Sequence, residues 1–328
     1  AIYLADSMGE NLLAARAYQI SGTAWRAAGD YLKAYEKLQQ AYSLFNALEL
    51  HHQANIVKRE IGETFRAGGA FAVIMALNTD HEVQILQQEE EKHIRGRSVF
   101  EQAMRLFSEA KSHFFLTGDS LQLAKTWNRM AATSFEMIKA HPSFDVLLES
   151  IEHSAEAFAG QIIAYPELIY LIDQTQSYLD SAATMAWQLN DHGLIISNEN
   201  IRASLYNMEY KTEMSVSKYD EIIDYMNETG FTSSMPLIMI NKARSLGVGW
   251  LNRYDEAIAM SLGALELALN MNIAIYITMA HELLHENYLA LGDYEKAYNH
   301  YAQYTEFILQ QQGTLLMLKT DAKEYEFQ

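Results

Sequence analysis

Hydrophobic residues recur three and four positions apart along almost the whole chain, and clear alternation of apolar and polar residues is absent. The first pattern is typical of amphipathic helices, whereas alternation would indicate strands. Helix breakers are rare, because the 328 residues include only 3 Pro and 16 Gly. The pattern therefore predicts an all-α protein.

One short motif occurs near both ends of the chain. Residues 29–35 read Gly-Asp-Tyr-Leu-Lys-Ala-Tyr and residues 292–298 read Gly-Asp-Tyr-Glu-Lys-Ala-Tyr, so six of the seven agree. Residues 252–257 carry a weaker copy, Asn-Arg-Tyr-Asp-Glu-Ala. Gly accepts the left-handed conformation that ends a helix, and Asp accepts hydrogen bonds from the first N–H groups of the next helix. The motif predicts helix pairs, each with an apolar face that is buried by stacking.

These pairs resemble the tetratricopeptide repeat family, which carries aromatic and small residues at set positions of two antiparallel helices. The residues that fit those positions are Tyr18, Gly22, Trp25, Ala34, Ala41, Gly62, Phe65, Ala131, Tyr288, Ala297 and Tyr304. The resemblance implies an α-solenoid of stacked antiparallel helix pairs, coiled as a right-handed superhelix. It also implies a protein that binds other proteins or peptides, and we expect neither enzymatic activity nor a cofactor.

The chain contains no linker rich in Gly, Ser or Pro, so we expect one continuous repeat array over residues 1–310. Turn-like stretches lie further apart in the first part of the chain than in the second. An irregular middle is therefore predicted at about 80–100 and 140–190, with Asp80–Arg97 and Pro166–Leu189 as candidate inserted helices.

The segment 311–328 is predicted to be a capping or coiled-coil helix. A heptad seam leads into it, formed by Tyr301, Tyr304, Ile308, Gln311, Leu315, Leu318, Ala322 and Tyr325. One interpretation is that this helix covers the last repeat, as repeat arrays require. The other is that it forms a homodimer and continues into an output domain. The chain begins without Met and ends within a helical pattern, so we expect a segment of a longer protein.

Charge and composition exclude several classes of function. Lys plus Arg is 24 and Asp plus Glu is 42, and the formal net charge of −18 disfavours nucleic acid and anionic lipid as partners. No run of 18 apolar residues is present, so we expect no membrane-spanning segment. The absence of Cys excludes disulfides, thiolate catalysis and Cys-ligated metals. We expect a cytoplasmic protein.

In the family, a ligand peptide lies along the face built from the first helix of each pair. The residues at the corresponding positions of this chain are Arg16, Arg26, Arg59, Glu63, Arg66, Lys125, Asn128, Glu282 and Glu286. The resemblance thus implies a peptide-binding groove that is basic at its N-terminal end and acidic at its C-terminal end. Arg binds carboxylates as a bidentate fork, so an acidic segment or a free carboxylate suits the basic end. Solvated charges on helix faces are the alternative interpretation.

Residues 281–285 read His-Glu-Leu-Leu-His, which matches the His-Glu-x-x-His string of zinc hydrolases. His281 and His285 would share one helix face, with Glu282 as a general base. No Gly-x-x-His continuation follows, and the string falls in the first helix of the last repeat. A zinc hydrolase is therefore a remote alternative, and packing of both His against the neighbouring helix is favoured. His141, His153 and His192 have no matching acid or nucleophile at a recognisable spacing.

The resemblance favours a peptide- or protein-binding scaffold that serves as the sensory or regulatory region of a bacterial signalling protein. Its output domain would lie outside this chain, and ligand in the groove would change the pitch of the superhelix. The alternative is a peptide-pheromone receptor of the quorum-sensing type. Residues 140–201 contain no Lys or Arg and nine acids. This acidic section either faces a cationic partner or keeps the array soluble.

Overall fold

The computed structural model describes residues 11–77, 85–150 and 154–306, and every regular element within these ranges is a helix. The helices are α1 (Asn11–Ala27), α2 (Tyr31–Ala47), α3 (His51–Leu77), α4 (Ile85–Thr117), α5 (Ser120–Lys139), α6 (Pro142–Ser150), α7 (Ala155–Gln161), α8 (Pro166–Leu189), α9 (His192–Met208), α10 (Thr212–Thr229), α11 (Met235–Leu246), α12 (Tyr254–Met271) and α13 (Ala274–Ala290). A 3₁₀ helix spans Ile162–Ala164, and α14 is described over 294–306. The all-α prediction is confirmed.

The chain forms two compact units, of which the first comprises Ala1–Ile151 and Ala159–Ile201. In this unit α1 packs on α2, α3 on α4, and α5 on α8. The first helices of successive pairs also contact one another, since α3 touches both α1 and α5. Leu38, Phe45 and Val57 are fully buried between the first two pairs. Because α1, α3 and α5 are neighbours, their charged side chains lie close to one another.

The second unit comprises Glu152–Phe158 and Arg202–Gln328. Here α11 packs on α10, α12 and α13, and α12 packs on α13. Ile240, Ala264 and Leu283 are buried where these last three helices meet. The small Ala side chains on α11, α12 and α13 allow close approach of the helices. The predicted stacking of antiparallel helix pairs is confirmed in this unit as in the first.

The predicted Gly-Asp turns are present at both ends of the described chain. Gly29 and Gly292 adopt left-handed backbone conformations, with φ of 83° and 79°. The side-chain oxygen of Asp30 accepts a 2.9 Å hydrogen bond from the N–H of Lys33, which caps α2. The same arrangement recurs at residues 118–119 before α5 and at residues 190–191 before α9. One local device thus starts four of the helices.

Two of the glycines that fit the family positions lie where helices approach closely. A Cβ atom on Gly22 would lie 2.6 Å from Cγ of Leu38, and one on Gly62 would lie 2.8 Å from Cε1 of Phe107. Nonbonded carbon atoms do not approach each other this closely, so each of these helix contacts requires a residue without a side chain. The resemblance to tetratricopeptide repeats therefore extends from the sequence motif to the packing.

The middle of the first unit departs from a simple run of pairs. Of the candidate inserted helix Asp80–Arg97, residues 80–84 lie outside the described residues and residues 85–97 are the first part of α4, which has 33 residues. Pro166–Leu189 is the packing partner of α5. The interruption lies between α5 and α8, where α6, α7 and the 3₁₀ helix are found.

Three expectations stay predictions. They are the single array over 1–310, the right-handed superhelix and the helix over 311–328. Most of the heptad seam lies beyond residue 306, outside the described residues. None of the described helices is long and apolar enough to cross a membrane.

Candidate functional site

A cleft of about 250 Å³ lies among α3, α5 and the beginning of α9 in the first unit. It is lined by Arg59, Glu60, Glu63, Lys125, Asn128, Arg129, Asp191, Gly193, Leu194 and Ser197. Four of the residues assigned to the groove by the family resemblance, Arg59, Glu63, Lys125 and Asn128, are therefore brought together. Eight of the ten lining residues have charged or polar side chains, and we refer to this space as the polar cleft.

Glu60, on one wall of the polar cleft, binds two arginines. Arg26 reaches it from α1, with 2.7 Å between a guanidinium nitrogen and Oε2, and also donates to the Glu60 carbonyl oxygen at 2.9 Å. Arg59 donates to Oε1 at 2.8 Å and to the side-chain oxygen of Gln122 on α5. Burial raises the pKa of Glu60, but the nearby charges of Arg59 and Arg26 outweigh this effect and lower it. The carboxylate therefore stays ionised and joins α3 to α1, while Arg59 extends the network to α5.

Glu63, one turn further along α3, binds a second pair of arginines. Arg66 forms a bidentate pair with it, at 2.8 and 2.7 Å, and Arg129 approaches from α5 to 3.3 Å. Glu63 is only 7% exposed. Burial raises its pKa, but Arg129 and Arg66 more than compensate and lower it to about 2. A buried carboxylate of this kind is retained only when its charge is well paired.

The charged residues that line the polar cleft are balanced in number, with Arg59, Lys125 and Arg129 against Glu60, Glu63 and Asp191. Arg26 and Arg66 lie outside the lining but bind the same two glutamates, so the cleft and its network together hold five cations and three acids. The Arg129 side chain is 42% exposed, so part of its guanidinium is accessible to solvent. Within the described part of the chain, no carboxylate forms an ion pair with Lys125. Lys125 and Arg129 lie one turn apart on α5 and offer two donors to an anionic ligand.

Asn128 forms the floor of the polar cleft and is occupied by structural hydrogen bonds. Its Oδ1 accepts a 3.0 Å bond from the Ser197 hydroxyl, and its Nδ2 donates to Oδ1 of Asn198 at 3.4 Å. Asn198 in turn donates to the Leu179 carbonyl oxygen at 3.0 Å. These bonds attach α9 to α5 and α8. Asn128 therefore positions the start of α9 at the cleft.

The remaining groove residues lie elsewhere. Arg16 is exposed on α1 and does not line the polar cleft. Glu282 and Glu286 belong to α13 in the second unit, where Arg244 approaches Glu282 to 3.6 Å. Burial, together with the nearby charge of Glu282, raises the pKa of Glu286.

The two histidines of the His-Glu-x-x-His string face α14. His281 Nδ1 lies 2.9 Å from Nδ1 of His300, and Nδ1 of His285 donates to the Ala297 carbonyl oxygen at 3.0 Å. Burial, with a smaller effect of His300, lowers the pKa of His281 to about 4. Within the described ranges, no three His, Asp or Glu side chains are grouped so as to hold a metal ion. The contacts agree with the packing interpretation.

Three residues of the polar cleft network were not identified from the sequence: Glu60, Gln122 and Arg129. Arg129 follows Lys125 by four positions, so both occupy one helix face, and that spacing was an available signal. Glu60 stands beside Arg59 in sequence, but its bond to Arg26 joins residues 34 positions apart. Only the packing of α1 on α3 reveals that contact.

Comparison with solved structures finds a similarity to the Signal Transduction ATPase with Numerous Domains (STAND) protein with a tetratricopeptide repeat sensor from Pyrococcus horikoshii. The sequence identity is 13% and the TM-score is 0.47. The match covers 86% of this chain and 40% of that chain, so our chain spans less than half of its length. No family model matches the sequence, and no curated protein matches it. The helix pairs, their turns and their small contact residues resemble those of tetratricopeptide repeats.

Proposed function

We propose that this chain is a peptide- or protein-binding scaffold whose polar cleft takes an acidic segment or a free carboxylate. The observation that carries the proposal is that Lys125, which has no carboxylate partner among the described residues, and the partly exposed Arg129 line the same cleft within a chain of net charge −18. An anionic ligand would meet the ammonium group of Lys125 and the exposed part of the Arg129 guanidinium. The other arginines already bind Glu60 and Glu63 and serve to hold the walls in place.

We further propose that the scaffold acts as the sensory or regulatory region of a signalling protein. Ligand in the polar cleft would contact α3, α5 and α9 together, because residues from all three line it. Binding energy that depends on the distances between these helices favours one arrangement of them over others. Such a preference is the physical basis on which a repeat array can report that a ligand is bound.

The test is fluorescence anisotropy with three labelled peptides of equal length, rich in Glu, in Lys or in uncharged Ser. Each peptide is prepared with a free and with an amidated C-terminus. We expect the Glu-rich peptide with a free C-terminus to bind most tightly and its affinity to fall with added salt. Binding by a short free peptide would also favour a peptide receptor over a scaffold for folded proteins.

Lys125→Glu is the informative variant, because Lys125 lines the cleft without a carboxylate partner among the described residues. It should weaken binding of the Glu-rich peptide at least tenfold, since an attraction becomes a repulsion. Lys37→Glu is the matched control, because Lys37 lies on α2 and is not part of the cleft. Equal affinity of the Lys125→Glu variant and the wild type, or no binding of any peptide, would contradict the proposal. Arg59 and Arg66 are unsuitable for charge reversal, because both are internal partners of carboxylates.

A further inference from the structure

A second cavity, of about 390 Å³, lies between the end of α5 and the beginning of α8 in the first unit. Apolar walls are formed by Met137 of α5, by Ala140 directly after this helix, and by Pro166 and Leu171 of α8. The interruption of the repeat by α6, α7 and the 3₁₀ helix occurs between these same two segments. The volume of the cavity lies within the range of small-molecule sites, about 300–1,000 Å³. We refer to this space as the apolar pocket.

Two polar residues, His141 and Glu167, stand in the apolar pocket, and their hydrogen bonds define the charge there. The backbone N–H of Ser143 donates to Nδ1 of His141 at 3.2 Å. Nδ1 is therefore an acceptor without a hydrogen, and the ring is the neutral tautomer with its hydrogen on Nε2. Nε2 then donates to Oε2 of Glu167 at 2.9 Å. The contact is a hydrogen bond from a neutral ring, so His141 does not neutralise the Glu167 carboxylate.

Glu167 is oriented and at the same time accessible. Its side chain is 71% exposed, whereas that of His141 is 12% exposed and fixed between its two hydrogen bonds. A carboxylate can accept about four hydrogen bonds, and the exposed part of Glu167 is accessible to a donor from a ligand. Tyr170, three residues after Glu167 in α8, lines the same pocket with 63% of its surface exposed. The face of a tyrosine ring attracts cations.

The surrounding sequence adds to this negative character. Residues 140–201 contain nine acids and no Lys or Arg. Lys139, at the end of α5, forms an ion pair with Glu136 at 3.0 Å. A ligand with a carboxylate is therefore disfavoured in the apolar pocket, whereas an ammonium group is favoured.

From this geometry we propose that the apolar pocket binds a small hydrophobic amine. Its apolar body lies between Met137 and Leu171, and its ammonium group donates to Glu167 beside the ring of Tyr170. His141 is a positioning residue that orients the carboxylate. This site differs from the polar cleft in position and in the sign of its charge, so it adds a second, small-molecule input to the proposed function.

The test uses three probes of nearly equal size and different charge: phenylbutylamine, phenylbutanol and phenylbutyrate. The protein carries ¹³C-labelled Met methyl groups, and the NMR signal of Met137 is assigned with the Met137→Leu variant. We expect saturable movement of the Met137 signal with the amine. The alcohol should bind about tenfold more weakly, because its hydroxyl can still donate to Glu167 but carries no positive charge, and the acid more weakly still.

Variants identify the group that selects the amine. Glu167→Gln should remove the preference for amine over alcohol. Tyr170→Leu should weaken binding of the amine more than binding of the alcohol. Glu156→Gln, an exposed acid of α7 in the same acidic section, is the matched control and should leave the preference unchanged. Equal binding of amine and alcohol to the wild type, an unmoved Met137 signal, or equal effects of Glu156→Gln and Glu167→Gln would overturn the proposal. None of these measurements depends on Lys125 or on peptide binding, so the two proposals fail independently.

Discussion

Glycine has two opposite uses in this chain. Gly29 and Gly292 lie in turns, where their positive φ angles would strain any residue with a Cβ atom. Gly22 and Gly62 lie within helices, where conformational freedom is a cost and the value lies in the missing side chain. Substitution of a helical glycine by Ala can therefore raise or lower the free energy of unfolding, depending on the space around the new methyl group.

Gly22→Ala is expected to destabilise the first unit by about 1–2 kcal/mol. The new Cβ would collide with the Leu38 side chain at 2.6 Å, and overpacking of this kind costs more than the helix propensity gained. Gly160→Ala is the control, because nothing lies within 4 Å of its added Cβ. It should stabilise the protein by several tenths of a kcal/mol. Urea unfolding followed by circular dichroism measures both, and a stabilised Gly22→Ala variant would contradict the packing described here.

For individual residues, the sequence predicted which side chains share a cleft better than it predicted which of them form ion pairs. Arg59, Glu63 and Lys125 were assigned to one groove and line one cleft. The neutralisation of most of its arginines was not predicted, because it depends on side chains of α1, α3 and α5 that meet only after packing. His141 was left without an acid partner, and the structure places Glu167, 26 positions further along the chain, against it. Contacts between residues so far apart in the chain follow no fixed sequence spacing, so a sequence pattern does not reveal them.

At the scale of secondary-structure elements, the same turn and cap precede several of the helices. Before α2, α5, α9 and α14, a residue in the left-handed conformation is followed by an Asp that accepts from the N–H three positions later. Gly occupies the left-handed position in three cases and Asn190 in the fourth. The Gly-Asp copies at both ends were recognisable from identity, whereas the Asn-Asp copy shares only its backbone geometry.

Asp119→Ala should lower the free energy of unfolding by about 1 kcal/mol, because it removes the cap of α5. Asp119 also lies 3.1 Å from His52, so Asp119→Asn separates the two contributions. Asn keeps the cap and removes the charge, and we expect it to cost less than half as much as Ala. Denaturant titration of both variants at one fixed pH measures the two losses. Equal losses in the two variants would show that the cap is not the origin of the effect.

The contact of α13 with α14 is predicted to weaken as the pH falls. His281 has a pKa of about 4 in the folded protein, lowered by burial and by His300, against about 6.5 in an unfolded chain. Between these values the unfolded state binds the proton first, so stability is lost as the pH falls from about 6.5 towards 4. The pKa values of His300 and His113 are also lowered, mainly by burial, and act in the same direction.

Thermal unfolding at several pH values between 7 and 5 measures this effect. The wild type should lose stability steadily over this range. His281→Gln should show a smaller slope than the wild type. Equal slopes for the wild type and His281→Gln would assign the pH dependence to other groups.

The sequence predicted helix pairs well where the turns are short and marked, as in α1 with α2 and α13 with α14. It did not predict that α5 packs on α8, because residues 140–165 between them contain several helix signals with no repeat spacing. The apolar pocket belongs to this interruption, so its site was missed together with the pairing.

At the scale of the whole molecule, the net charge of −18 opposes compaction of the chain. The described ion pairs involve most of the cations around the polar cleft, so the excess negative charge is spread over other surfaces. Repulsion among exposed charges is screened within about 10 Å at 0.1 M salt. Salt should therefore stabilise the fold.

Raising NaCl from about 10 mM to about 300 mM is expected to raise the unfolding midpoint by a few degrees, because screening reduces the mutual repulsion of the acids. Sucrose at equal osmolality controls for exclusion of the solute from the protein surface. Differential scanning calorimetry at pH 7.5 measures the midpoint. A fall in the midpoint with NaCl would show that the ion pairs around Glu60 and Glu63 contribute more than the repulsion removes.

The repeated turn also has an evolutionary consequence. Four helices begin with the same left-handed residue and the same carboxylate, and the turn residues make these contacts with their own backbone neighbours. A recombination event that joins the gene at two such turns keeps the geometry of the new junction intact. Whole helices can then be duplicated or deleted without the invention of a new loop. The length of the protein is thus an adjustable trait, and selection acts on it in steps of complete secondary-structure elements.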